Sequence, residues 1–232
     1  MRLEIQEQPT DTTCGPTALH AVYRYHGDSI DIERVIAEVP RLQNGGTLAV
    51  MLGCHARRRG YDATIYTYNL QMFDPSWFRT RADLVDRLRR QVRARRGQRL
   101  EAATRSYVEF LELGGRVRFE DLTPQLIRKI LAAGLPILTG LSATYLYHAS
   151  REHDATNEPD DVAGQPVGHF VVLSGYDAAK GTVIVSDPYG SNPLSRTRQY
   201  HMSVPRVIGA IFLGVLTYDA NLLVLRPARR RK

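Results

Sequence analysis

The chain has 232 residues, 43% hydrophobic and 24% charged, which is the balance of an ordinary soluble globular protein with a core large enough to need no covalent staples. Its only cysteines, Cys14 and Cys54, argue against a disulfide framework and suit a reducing, cytoplasmic compartment, with a single Cys14–Cys54 bridge left open. The net charge of +7 is local: residues 229–232 carry +4 and residues 84–99, with seven arginines and one aspartate, carry +6, so the rest sums to −3. A uniformly basic nucleic-acid-binding surface does not fit this distribution.

Taken in chain order, residues 3–5 read as a short strand or extended segment, with no apolar h-region of the kind a signal peptide needs. Residues 14–26 read as a helix stopped at Gly27. A second helix spans 31–38, with Ile32, Val35, Ile36 and Val39 as its apolar stripe and Pro40 beyond its end. Gly45-Gly46-Thr47 opens a third, which runs to about Arg59 and closes at Gly60. Residues 63–68 alternate small or apolar with polar side chains and read as a strand. Residues 75–97 read as one arginine-rich helix, whose charge is either a solvated face or a contact for an acidic partner. Nucleic-acid binding through 84–99 would require a steep salt dependence. Helices follow at 100–113 and after Thr123-Pro124, with Leu126, Ile127, Ile130 and Leu131 as the stripe of the latter.

Residues 136–141 read as a buried strand. An acidic, Pro- and Gly-containing stretch at 150–166 reads as a loop near the site. Strands are then expected at 170–176, 182–186, 211–216 and 222–225, with a hairpin turn at 177–181. The apolar run 207–216 is too short to span a bilayer and is assigned to a buried strand. Helices first and an antiparallel sheet second make an α+β pattern.

Chemistry concentrates at three places. Cys14 stands at the start of a helix, where unpaired N–H groups and the positive end of the dipole stabilise a thiolate, and Pro16 fits the first turn. A cysteine nucleophile also needs a base, an orienter and oxyanion donors. His169, preceded by Gly168 and opening a strand, is the base candidate. Asp187, at the end of the next strand, is the orienter. With the turn centred at 179, opposite residues should sum to about 358; His169 and Asp187 sum to 356 and so are near neighbours across the pair. Gln8, six residues before Cys14, is the side-chain oxyanion donor beside the Cys14 N–H. Gly15 and Gly168 are expected to border the substrate. Cys54 reads as core, His20 and His26 on the first helix as structural or exposed, and His55, His148, His153 and His201 show no ligand spacing, so no metal is expected; no cofactor is expected either. Tyr145, Tyr147 and His148 read equally as cleft lining or as core. Asp11 reads as a loop cap in preference to a charged neighbour of Cys14, and Asp154, Glu158, Asp160 and Asp161 as a solvated loop in preference to an attraction for a basic substrate segment.

The set Gln8, Cys14-Gly15-Pro16-Thr17-Ala18-Leu19, Gly168-His169-Phe170-Val171-Val172 and Asp187-Pro188-Tyr189 resembles the papain-like cysteine peptidases that process double-glycine leader peptides of bacteriocins. It is also similar to phytochelatin synthases, which share the fold and the order Gln, Cys, His, Asp. The chain differs from the bacteriocin peptidases in having Thr13 rather than Asp before the cysteine, and in a long arginine-rich insertion between Cys14 and His169. The resemblance implies a papain-like α+β fold over residues 1–226, N-terminal helices packed on a C-terminal antiparallel sheet, with an insertion at about 70–120 and a basic tail at 227–232. It implies a bacterial peptidase or amide hydrolase that acts on a peptide or protein through Cys14, His169, Asp187 and Gln8. Acyl transfer to an amine, as in a peptide-modifying transferase or γ-glutamyl transpeptidase, is the alternative within the same chemistry. A silent peptide-binding module is the alternative outside it, weakened because all four positions are filled.

Overall fold

In the computed structural model, which describes residues 3–42, 45–153 and 156–228, an extended segment carrying the buried Leu3 and Ile5 leads into α1 (Cys14–Tyr25). Residues 15–23 of α1 are all buried, as their small and apolar side chains allow, and Gly27 ends the helix at φ +80, where an L side chain would be strained. α2 (Ile32–Glu38) and α3 (Ala49–Arg58) follow, then β1 (Tyr61–Thr67) with alternate residues buried. The helix expected over 75–97 is two helices, α4 (Pro75–Arg79) and α5 (Leu84–Ala94). Asp83 interrupts it: its carboxylate accepts from the N–H groups of Val85 and Asp86 and so starts a new helix. α5 buries only Leu88; its arginines face solvent or pair locally, as Arg89 does with Glu112 at 2.7 Å.

α6 (Gln98–Glu112), β2 (Arg116–Arg118), α7 (Pro124–Ala132), β3 (Ile137–Ser142), α8 (Ala143–Tyr147), β4 (Gly168–Asp177), β5 (Thr182–Ser186) and β6 (Gln199–Ser203) come next. The strand expected over 211–216 is instead α9 (Val204–Leu213), continued by a 3-10 turn (Gly214–Thr217). Pro205 in its first turn and the spacing of its buried residues, Val204, Val207, Ala210 and Ile211, are helical; an unbroken apolar run carries no period that separates helix from strand. β7 (Asn221–Pro227) ends the sheet-forming chain. Residues 229–232 and Asp154, both weighed from the sequence, lie outside the described residues.

Among the described residues the strands form one sheet in the order β2-β1-β7-β3-β4-β5-β6, antiparallel except for the β1–β2 pair. The sheet is therefore not confined to the last third: β1 and β2 join it from the helical half. Both faces are covered. Phe170 and Val172 of β4 meet the α1, α3 and α6 side, while Val171 and Leu173 meet the α7 and α9 side, as the two-residue period of a strand requires. The β4–β5 hairpin pairs Val172 with Ser186 and Leu173 with Val185, the register expected from a turn at 179, before a bulge at Leu173/Gly175 shifts it by one.

Candidate active site

Cys14 is the first residue of α1 and is partly buried. Thr10 and Thr13 build the turn before it. The Thr13 hydroxyl donates to the Thr10 carbonyl at 2.8 Å and accepts from the Thr10 N–H at 3.0 Å. It is thereby turned away from α1, which has no side-chain cap, and Pro16 has no N–H to offer. The N–H groups of Cys14 and Gly15 are left as donors at the head of the helix. Gly15 itself is buried: a Cβ there would stand 2.5 Å from Thr47 Cγ2 and 3.2 Å from Phe170 Cδ2. Glycine at 15 is thus explained by close packing of α1 on α3 and β4, whereas a role in bordering substrate does not require it. Gly168 does line the cleft, with Thr217 closing over it: a Cβ would meet Thr217 Oγ1 at 2.7 Å.

His169 is the second residue of β4, paired with Leu141 of β3. Its Nε2 is 2.8 Å from Asp187 Oδ1, which leaves Nδ1 for the Cys14 thiol. Burial opposes the imidazolium, but the hydrogen bond and charge of Asp187, joined by those of Cys14, outweigh it and raise His169 to about 10. Asp187 follows β5 directly and is fully buried. Its four acceptor positions are filled: Oδ1 receives His169 and the Tyr189 N–H (3.0 Å), and Oδ2 receives the hydroxyls of Tyr147 (2.7 Å) and Tyr200 (2.8 Å). Burial alone would favour the neutral acid, yet these donors, His169 foremost, hold the carboxyl below its usual range. Burial and the charge of Asp187 push both phenols well above theirs, so they stay hydroxyl donors.

Gln8 is drawn to the same corner by its backbone N–H, which donates to Pro188 O at 2.9 Å. One amide hydrogen is given to Thr10 O at 3.1 Å, the other remains, and Oε1 is buried with no partner among the described residues. Cys14 and His169 open on a cleft of ≈ 820 Å³. The loop expected near the site supplies Glu152, Asn157 and Gln165 to its wall, and Asp11 lies there too. Burial and the charge of Asp11 raise the Glu152 carboxyl. Arg99 and Asp219 stand elsewhere on the lining; burial pushes Asp219 up to about 7 although Ala49 N–H donates to it at 2.9 Å.

The structure thus brings Cys14, Gly168 and His169 onto one cleft and Asp187 onto His169, while Gln8 is tied to Pro188 beside Asp187 and is not among the residues that line the cleft. Tyr200 carried no signal in the sequence, because β6 was not foreseen. Tyr147 was weighed only as cleft lining or core, and its partner shows a third role. Tyr145 instead lies under the Arg206 guanidinium, 5.1 Å from ring centre to Cζ. Glu158, Asp160 and Asp161 stay in a loop stitched by its own turns, with Asp160 accepting from Val162 and Ala163. Cys14 and Cys54 are free thiols. Cys54 is buried against Ser106 O, and burial pushes it up to about 12. Among the described residues no group of His, Cys, Asp and Glu is arranged to hold a metal ion, and no helix is long and apolar enough to cross a membrane.

A model of the Peptidase_C39 like family matches residues 2–206. Among solved structures, a C39-like peptidase from Bacillus anthracis is similar at 14% identity and a TM-score of 0.52, over 97% of this chain and 94% of that one. The peptidase domain of Streptococcus ComA, a bi-functional ABC transporter involved in quorum sensing, is similar at 14% identity and a TM-score of 0.47, over 97% and 99%. At such identities the first likeness concerns the fold alone. No curated protein matches the chain. The family match bears on the peptidase side of the resemblance; the likeness to phytochelatin synthases stays an expectation.

Proposed function

The chain belongs to the Peptidase_C39 like family, and from that premise we propose that it is a cysteine peptidase working through Cys14, His169 and Asp187. His169 Nδ1 takes the Cys14 proton, and the thiolate attacks a peptide carbonyl held in the cleft. The Cys14 N–H and the second Gln8 amide hydrogen receive the oxyanion. The imidazolium then protonates the leaving amine, and water attacks the thioester with His169 again as base. Asp187 holds the ring in the tautomer with hydrogen on Nε2 and balances its charge. The observation that carries this reading is the buried 2.8 Å bond between His169 and Asp187, opening on the cleft that contains Cys14. Exposure of a mixed peptide library to the protein and to Cys14→Ala, with mass spectrometry of the products, tests it. Cleavage that disappears in the variant supports the reading; equal cleavage by both, or binding without turnover that Cys14→Ala leaves unchanged, defeats it. An added amine acceptor separates hydrolysis from transfer in the same experiment.

A further inference from the structure

Two phenols converge on one oxygen of a fully buried carboxylate. Tyr147 ends α8 and Tyr200 lies on β6, more than 50 residues apart in sequence, yet both hydroxyls donate to Asp187 Oδ2 at 2.7 and 2.8 Å. Oδ1 is left to His169 and the Tyr189 N–H. The Tyr189 ring stacks on Tyr147 and meets His169 edge-on at 6.2 Å, so that aromatic surface closes around the pair. A buried carboxylate with a single partner has two stable alternatives: it can take the imidazolium proton, or it can rotate about its Cβ–Cγ bond. Two hydroxyls on Oδ2 oppose both. They stabilise the ionised form, and they fix the carboxylate plane and with it the imidazole that Oδ1 holds.

We propose that Tyr147 and Tyr200 are positioning residues of the acyl-transfer site, which keep Asp187 ionised and fixed so that His169 presents Nδ1 to Cys14. This rests on the cysteine-peptidase reading above. Neither tyrosine touches the reacting atoms; both act through Asp187.

The test needs no substrate. The rate of Cys14 alkylation by iodoacetamide is measured against pH for the unaltered protein, Tyr147→Phe, Tyr200→Phe and the double variant, with thermal melting as a control for folding. Phenylalanine keeps the ring and removes one donor. A hydrogen bond to a charged group is worth about tenfold or more in equilibrium. Each variant should therefore weaken the thiolate–imidazolium pair that Asp187 supports, and should move the acid limb of the profile, where that pair takes up a proton, to higher pH by up to about tenfold in proton concentration. The double variant should move it further. Rates above the limb should fall. Folded variants whose acid limb does not move, whether or not their rates or melting temperatures fall, overturn the proposal in favour of a packing role. Should one variant fail to fold, the other, on a different element, decides alone; should both fail, the same measurement on protein carrying 3-fluorotyrosine, which keeps the ring and makes the hydroxyl a stronger donor, decides: an acid limb moved to lower pH supports the proposal and an unmoved one overturns it. Cys14 inert in the unaltered protein would defeat the peptidase reading, and this proposal with it.

Discussion

Replacing Asp187 by Asn separates the charge of this residue from its shape. Four donors converge on the carboxylate, and an amide has only one oxygen. The arrangement that leaves fewest conflicts turns Oδ1 of the new residue toward the Nε2–H of His169 and the Tyr189 N–H, of which the backbone N–H can only donate. Its Nδ2 then faces Tyr147 and Tyr200, whose hydroxyls can rotate to accept. The fold survives at a cost of about 1–3 kcal/mol, the range for disturbing a buried polar contact. The charge does not survive. His169 stands at about 10 because Asp187 and Cys14 together overcome burial; without the carboxylate, burial shifts the ring back toward the neutral form. A hydrogen bond to a charged group contributes about 1.5–3 kcal/mol. Losing about 3 kcal/mol from the reacting pair lowers the rate by about 100-fold. Two measurements check this: Cys14 alkylation at neutral pH, which should fall by about that factor, and histidine NMR, where the raised titration of His169 should move down. A folded Asp187→Asn protein with unchanged alkylation and an unmoved histidine would refute the reasoning.

The same pair sets a pH window for stability. His169 is raised in the fold, so its contribution is complete below about 6.5 and is lost as pH climbs toward about 10; Asp187 is depressed, so its contribution is complete above about 3.8 and is lost on acidification. Melting temperatures against pH should show this plateau, and Asp187→Asn should flatten it. Gly15→Ala should cost about 1–3 kcal/mol by overpacking against Thr47 and should displace Cys14. Adding Thr47→Ser, which removes the clashing Cγ2, should recover much of the loss in a melting experiment, and simple additivity would refute the contact. Iodoacetamide should label Cys14 first and reach Cys54, buried and raised to about 12, only on unfolding; mass spectrometry reads the order. Asp219 is raised to about 7 by burial, so it stabilises most below 3.8 and loses that contribution as pH passes 7. Asp219→Asn should therefore melt higher than the unaltered protein above pH 7 and lose that advantage in acid, and the reverse order would refute the burial argument.

Local chemistry was legible where one residue type permits few alternatives. The head of α1 follows from Cys14-Gly15-Pro16 and a run that buries, and the stop at Gly27 from its positive φ. The hairpin register follows from one turn and a two-residue period, so His169 and Asp187 could be paired on arithmetic alone. Cys54 could be assigned to the core because it lies in an apolar helix. The sequence failed where pattern is ambiguous or where pairing is long-range. The apolar run at 207–216 has no period and became α9. β2 and β6 are short, polar-rich strands at the two ends of the sheet order, and their strand character comes from the neighbours they pair with.

What the sequence by itself determined is therefore the local placement of the proposed site, because a thiol at a helix start and a histidine and aspartate across a hairpin are each held by local rules. Tertiary structure decided the rest. It placed α1 against β4 closely enough to exclude a Cβ at position 15. It also brought Tyr147 from α8 and Tyr200 from β6 onto the far oxygen of Asp187. A buried charge must be met by donors, but which side chains can reach it depends on how distant elements pack, and no spacing along the chain encodes that.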